Sequence, residues 1–255
     1  MKRKILRKFG FKKDQQGIIN RYLRENGGWD SHLNNTKNFI LKCSENKEKN
    51  SCVILGSGWL LDVPIEQLID SFEQIYLIDI VHPRQIIHKY KKQTNIIFIE
   101  TDIAGYIETV YFFLKEKKKQ KAALTEIQQH YTNEFSEIIK NASMVVSVNI
   151  LNQLDILICD YIAKTNIYSK EEIYLFRKLI QQKHLELLPA NKSCIITDYE
   201  ELNYNDQMQL TQQKPLVHVH LPNNKETVKW RWNFDMNKTY HNNYKTVFKV
   251  MAWEK

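Results

Sequence analysis

Between residues 51 and 197, short apolar runs rich in β-branched residues alternate with stretches of helical spacing. SCVIL (51–55), QIYLIDI (74–80), NIIFIE (95–100), ASMVVSV (142–148) and KSCIIT (192–197) read as five strands. Unbroken apolar runs of this length suit strands covered on both faces. Helices between them imply βαβ units and a mainly parallel sheet. Helical spacing spans 65–72, with Pro64 near its first turn, then about 103–115, about 122–139, 155–163 and 170–187. Ser169 and Glu172 have the spacing of a capping box for the last of these. After residue 215 the period changes to two. LVHVHL (216–221), TVKWRWNF (227–234) and YKTVFKVMAW (244–253) predict antiparallel strands added to one edge of the sheet, with Asn223-Asn224 as a turn. The first fifty residues are polar and helical and are broken by GGWD at 27–30. They read as a cap or lid over 1–45, with the main α/β domain over 46–255.

Composition adds bounds. A chain of 255 residues with 43% apolar and 26% charged positions builds its core without a metal or disulfide staple. No apolar run approaches the ~18 residues of a membrane span, so no membrane partner is expected. Seven lysines and arginines fall in the first thirteen residues with no apolar segment behind them, which is not the pattern of a secretory signal. The four cysteines show no paired spacing, which argues against a zinc ribbon, a redox pair or a disulfide framework. A reduced, cytoplasmic, bacterial protein is the expectation. The net charge of +8 comes in clusters at 2–13, 89–92 and 115–121. These read as solvated faces, with nucleic-acid binding as the alternative.

Glycine is scarce: seven in all, none after Gly105, and two of them in LGSGW. A turn of this kind after the first strand lets a ligand lie against the backbone. Ligands of open parallel sheets sit there, at the carboxyl ends of the strands where the strand order reverses. The second strand ends in Asp79, twenty-one residues past Gly58, where a carboxylate can accept hydrogen bonds from both hydroxyls of a ribose. Together these favour an adenosine-containing ligand. Leu61 stands where a dinucleotide fingerprint needs glycine or alanine, which argues against NAD, and no P-loop motif is present.

With VILGSGWLLD (53–62), YLIDI (76–80), IETDI (99–103), SVNILNQL (147–154) and LLPANKSCIITDYEE (187–201), the chain from about residue 50 onward resembles the class I S-adenosylmethionine-dependent methyltransferases. The resemblance implies a Rossmann-like, mainly parallel sheet with helices on both faces, antiparallel C-terminal edge strands and S-adenosyl-L-methionine as cosubstrate. It implies that Gly56 and Gly58, with Ser57 and Trp59 between and beside them, meet the methionine portion. Asp79, with Ile80, would bind the ribose, Asp102 with Ile103 the adenine, and Asn149 would face the methyl group. Ile54 replaces the acid usual two residues before the first glycine, and Leu60 replaces the third glycine of the loop; Asp62 is a candidate compensating acid.

For the acceptor, Trp29, His32 and Asn152 are candidate contacts, beside the Gly27-Gly28 hinge and after the fourth strand. Asn149-Ile150-Leu151-Asn152 departs from the Pro-Pro motif of exocyclic base-amine methylases. Asp198, Glu200, Glu201 and His32 are candidate general bases, and no catalytic residue is assigned. His218 and His220 with His241 make a poor metal set, and none is expected. Trp230, Trp232 and Phe234 share a strand face and read as closure against a helix. The expected function is methyl transfer to a small-molecule acceptor. The alternatives are RNA methylation, aminocarboxypropyl transfer, or a non-catalytic adenosine-ligand-binding module.

Overall fold

The computed structural model describes residues 3–116, 123–223 and 226–255. Its sheet holds β1 (Ser51–Leu55), β2 (Gln74–Asp79), β3 (Ile96–Glu100), β4 (Met144–Val148), β5 (Ser193–Tyr204), β6 (Leu210–Pro215), β7 (Val228–Asp235) and β8 (Lys245–Glu254). The order is β3-β2-β1-β4-β5-β8-β7, with β6 pairing β5 off this path. Strands β1 to β5 are parallel; β8 runs antiparallel to β5 and β7 to β8. The chain winds outward from β1 to β3 and then restarts at β4 on the other side of β1. The carboxyl ends of β1 and β4 therefore flank the switch point, where the flanking connections diverge and leave a crevice.

The helices are α1 (Arg3–Phe9), α2 (Phe11–Glu25), α3 (Asp30–Ser44), α4 (Ile65–Ser71), α5 (Arg84–Tyr90), α6 (Ile107–Glu116), α7 (Asn133–Asn141), α8 (Ile156–Ala163) and α9 (Lys170–Leu187). One face of the sheet packs Cys52, Ile54, Val146 and Ile196 against Phe39, Ile40 and Cys43 of α3 and Ile65 and Leu68 of α4. The other packs Val53, Leu55, Val145 and Ile195 against Phe135 and Ile139 of α7. A third cluster ties α1, α6, α8 and α9 together. All of β4 is buried, as its unbroken apolar run requires. The capping box at α9 forms in both directions: Glu172 N donates to Ser169 Oγ (3.2 Å), and Ser169 N to Glu172 Oε2 (2.8 Å).

Three segments differ from their sequence reading. Helix α6 starts at Ile107 rather than near 103, because Asp102 turns the chain first. Its Oδ1 accepts from Ala104 N and its Oδ2 from Ile107 N, and Gly105 takes a φ of 72°. The helix expected over 122–139 is instead a 3-10 turn at Leu124–Glu126 followed by α7 with Thr132 as N-cap. The stretch between them is pinned by His130 N to Gly105 O, Gln129 Nε2 to Ala104 O and Tyr131 Oη to Ile103 O. Third, 216–221 is no strand. Its alternation buries Val217 and Val219, but its backbone goes elsewhere: Leu216 N donates to Tyr199 O, and His218 N to Gln181 Oε1 on α9. The strand that pairs there is the polar β6, exposed along its length. Asn224 of the expected turn and most of the 115–121 charge run lie outside the described residues.

Candidate active site

The switch point opens into a cavity of about 530 Å³. All twelve residues expected to contact cosubstrate or acceptor line it: Trp29, His32, Gly56, Ser57, Gly58, Trp59, Asp79, Ile80, Asp102, Ile103, Asn149 and Asn152. Gly56 has a φ of 81°, and a Cβ there would run into Ile150 Cγ2, so only glycine fits between β1 and the loop after β4. Leu60 holds a φ of 54°. The loop keeps a left-handed residue at the position of the absent third glycine, while the leucine side chain is buried beneath it.

Asp79 ties the glycine loop to β2. Gly58 N donates to its Oδ2 (2.8 Å) and Ile80 N to its Oδ1 (2.7 Å). Burial raises its pKa against those two bonds. Each carboxylate oxygen accepts more than one hydrogen bond, so both remain able to meet ligand hydroxyls. Asp102 is engaged in the same way by the turn into α6, and burial raises its pKa to about 6.

The loop after β4 turns at Asn149, another left-handed residue (φ 51°), whose amide donates to Asp62 Oδ2 (2.7 Å). Asp62 thus stands in the cavity wall, and burial raises its pKa. His32 is stacked on Trp232 with ring centroids 3.9 Å apart, and its Nδ1 accepts from Trp230 Nε1 (3.1 Å). Burial lowers its pKa to about 3. Trp230 occupies the Nδ1 lone pair, the Asn149 amide nitrogen lies 3.3 Å from Nε2, and burial keeps the ring neutral, so His32 is not the base. Trp29 donates from Nε1 to Phe234 O (2.9 Å) and meets Trp232 edge-on, so it anchors α3 to β7 as well as bordering the cavity.

Among the four candidate bases, Asp198 alone presents a carboxylate in the cavity apart from the neutral His32. Glu200 faces Lys249 (2.5 Å), and Glu201 accepts from Asn203 Nδ2 and pairs with His241 (2.9 Å); neither lines the cavity. Asp198 is 2% exposed. Its Oδ2 accepts from Asn152 Nδ2 (2.9 Å), while neither its Oδ1 nor Asn152 Oδ1 has a partner among the described residues. Burial raises its pKa to about 7. The strand register with β8 shifts between Asp198 and Glu200, a bulge just beyond Ile196, the last β5 residue paired with β4.

Several lining residues had no sequence signal. Gln15 of α2 accepts at its carbonyl from Trp59 Nε1 (2.8 Å) and donates from Nε2 to Val81 O (2.6 Å), so α2 lies across the glycine loop. Arg21 places its guanidinium 4.6 Å from the Phe234 ring and 5.0 Å from that of Tyr240. Trp232, Phe234 and Phe248 complete an aromatic wall. The alternation of WRWNF is visible in sequence, but the partner of that face is not.

The strand order and the glycine turn at the switch point make this a Rossmann-like fold, and several solved structures similar to the chain are methyltransferases. The N-methyltransferase NodS from Bradyrhizobium japonicum WM9, in complex with S-adenosyl-L-homocysteine, shares 9% identity over 86% of this chain and 85% of its own, with a TM-score of 0.36. The methyltransferase domain of bacterial CtHen1-CN shares 11% over 86% and 99%, with a TM-score of 0.35. Precorrin-6y C5,15-methyltransferase from Geobacter metallireducens GS-15 shares 9% over 86% and 87%, with a TM-score of 0.31. No protein-family model and no curated protein matches the chain. The likeness is distant, and the functional reading stands on this chain's own cavity.

Proposed function

We propose that the protein is an S-adenosylmethionine-dependent methyltransferase acting on a small molecule. One observation supports this most: the Gly56–Leu60 turn, Asp79, and Asp102 with Ile103 converge on a single cavity at the switch point. The residues present fit the cosubstrate. Gly58 leaves room along the backbone for its methionine portion, Asp79 offers acceptors to the ribose, and Ile80 and Ile103 offer apolar contact to adenine. When bound, the sulfonium supplies an electrophilic methyl carbon. The protein's part is then chiefly to position the two reactants, which lowers the barrier by removing translational and rotational freedom.

Charge supports the small-molecule acceptor over RNA. The cavity is lined by five carboxylates (Asp14, Asp62, Asp79, Asp102, Asp198) and two cations (Lys13, Arg21) in a chain of net charge +8. Burial raises the pKa of all five aspartates, so the wall's negative charge is partial; it suits a sulfonium better than phosphates, to which it offers only two cations. Helix α2, hinged at the left-handed Asn26 and Gly27, serves as the lid over the glycine loop. Calorimetric titration with S-adenosylmethionine, S-adenosylhomocysteine and NAD tests the assignment. Binding of both sulfur ligands and not NAD is expected; tight NAD binding with no response to either overturns it.

A further inference from the structure

Part of the cavity lining is not accounted for by the residues assigned to the cosubstrate: the polar Asn152 and Asp198, and the aromatic Trp29, Trp232, Phe234, Tyr240 and Phe248. Two buried oxygens there, Asp198 Oδ1 and Asn152 Oδ1, have no partner among the described residues. A buried acceptor is costly to leave without a donor, so each is a place where a donor from water or a ligand is favoured. The Asn152 amide orientation is fixed by its bond to Asp198 Oδ2, which leaves its oxygen as the free atom. Both free atoms are acceptors, and one belongs to an acid. An alcohol brings one donor; a primary or secondary ammonium brings two or three. Arg21 takes the faces of Phe234 and Tyr240, and Asp14 and Asp235 counter its charge.

We propose that the methyl acceptor is an amine, held as its ammonium form by Asp198 and Asn152. The proposal rests on the methyltransferase reading above. The Asp198 carboxylate takes the ammonium proton, which frees the nitrogen lone pair. That pair forms the N–C bond to the methyl carbon as the C–S bond breaks, and the C–S electrons leave on the neutral thioether. Asp198 is in this sense a catalytic residue, and its raised pKa suits a group that accepts a proton near neutrality.

The test uses the full chain loaded with S-adenosylhomocysteine. Loading is checked first by calorimetry; if it fails, the methyltransferase reading fails and not the choice of acceptor alone. Phenethylamine, histamine and piperidine are then compared with phenethyl alcohol and 3-phenylpropionate by ligand-observed NMR. Amines are expected to bind at least about tenfold more tightly than the alcohol and the acid. Asp198→Asn should abolish that preference while S-adenosylhomocysteine affinity stays within about threefold. Asn152→Leu provides a second variant, checked for folding by thermal melting, and should weaken amine binding alone. Preference for the alcohol or the acid, no binding of any amine, or amine binding unchanged in Asp198→Asn overturns the proposal.

Discussion

At the scale of single residues, the acids of the cavity carry both structure and function, and the two separate by measurement. Asp79 holds the glycine loop through Gly58 N and Ile80 N. Asp79→Ala should therefore lower the melting temperature as well as cosubstrate affinity. Hydrogen bonds to a charged group contribute roughly 1.5–3 kcal/mol each, partly replaced by water in the variant. A net loss of about 2–3 kcal/mol, or about 30–150-fold in Kd, is expected by calorimetry with S-adenosylhomocysteine. Unchanged affinity with a lowered melting temperature would confine Asp79 to holding the loop.

Asp198 gives a pH signature. An unfolded aspartate loses its proton near ~3.9, whereas the folded side chain holds it to about 7 because it is buried, with Glu201 and Asp62 adding repulsion. Tyr240 is the remaining ionisable group facing it. Since the folded pKa is the higher one, the stability it confers is present in acid and is lost as pH rises from about 4 to about 7. Asp198→Asn carries no such proton. Its stability relative to the native chain should rise across that window by up to about 1.4 kcal/mol per pH unit, and level off above it. Urea melts near about pH 4.5 and about pH 7.5 check this; an equal difference at both would place the proton elsewhere.

At the scale of elements, the turn between β1 and α4 shows two opposed terms at Leu60. A left-handed leucine costs about 1–2 kcal/mol of backbone strain. Its side chain is 7% exposed and packs in the cluster beneath the loop, and removing a buried leucine costs about 2–5 kcal/mol. Packing outweighs strain, so Leu60→Gly should destabilise by about 1–3 kcal/mol in urea denaturation, even though glycine relieves the φ of 54°. A stabilised variant would mean that strain dominates the loop. The elements themselves divide by cause. Strands β1 to β4 and helices α4, α8 and α9 were legible, because each is a local run with a consistent apolar pattern, joined at α9 by a capping box. The 216–221 run was not, because burial of Val217 and Val219 produces the same alternation whether or not a ladder forms. Helix α6 was misplaced at its start because a single side chain, Asp102, caps the turn before it.

At the scale of the molecule, α2 meets the crevice through Gln15, which bonds Trp59 and Val81, and is tied at its carboxyl end by Glu25, which accepts from Met236 N and Asn237. α3 instead buries Phe39, Ile40 and Cys43 in the core. The two helices should differ in opening. By hydrogen exchange, amides of α2 are expected to exchange faster than those of α3 and to slow by about tenfold or more on adding S-adenosylhomocysteine, with β1 and β4 unchanged. Protection of α2 that does not respond to ligand would remove its role as a lid.

The sequence by itself determined the parallel strands, the glycine turn, the acids that end β2 and β3, and hence one half of the cavity. Those features are local: strand ends and turns write their residues within a few positions of one another. Tertiary structure decided the other half. That Asp198 rather than Glu200 or Glu201 reaches the cavity depends on a bulge in β5 against β8, some fifty residues later in the chain. That His32 is a neutral packing residue depends on Trp230 and Trp232 arriving from β7. Long-range pairing sets which side of a strand is buried and which polar atoms lose their partners, and no local pattern encodes it.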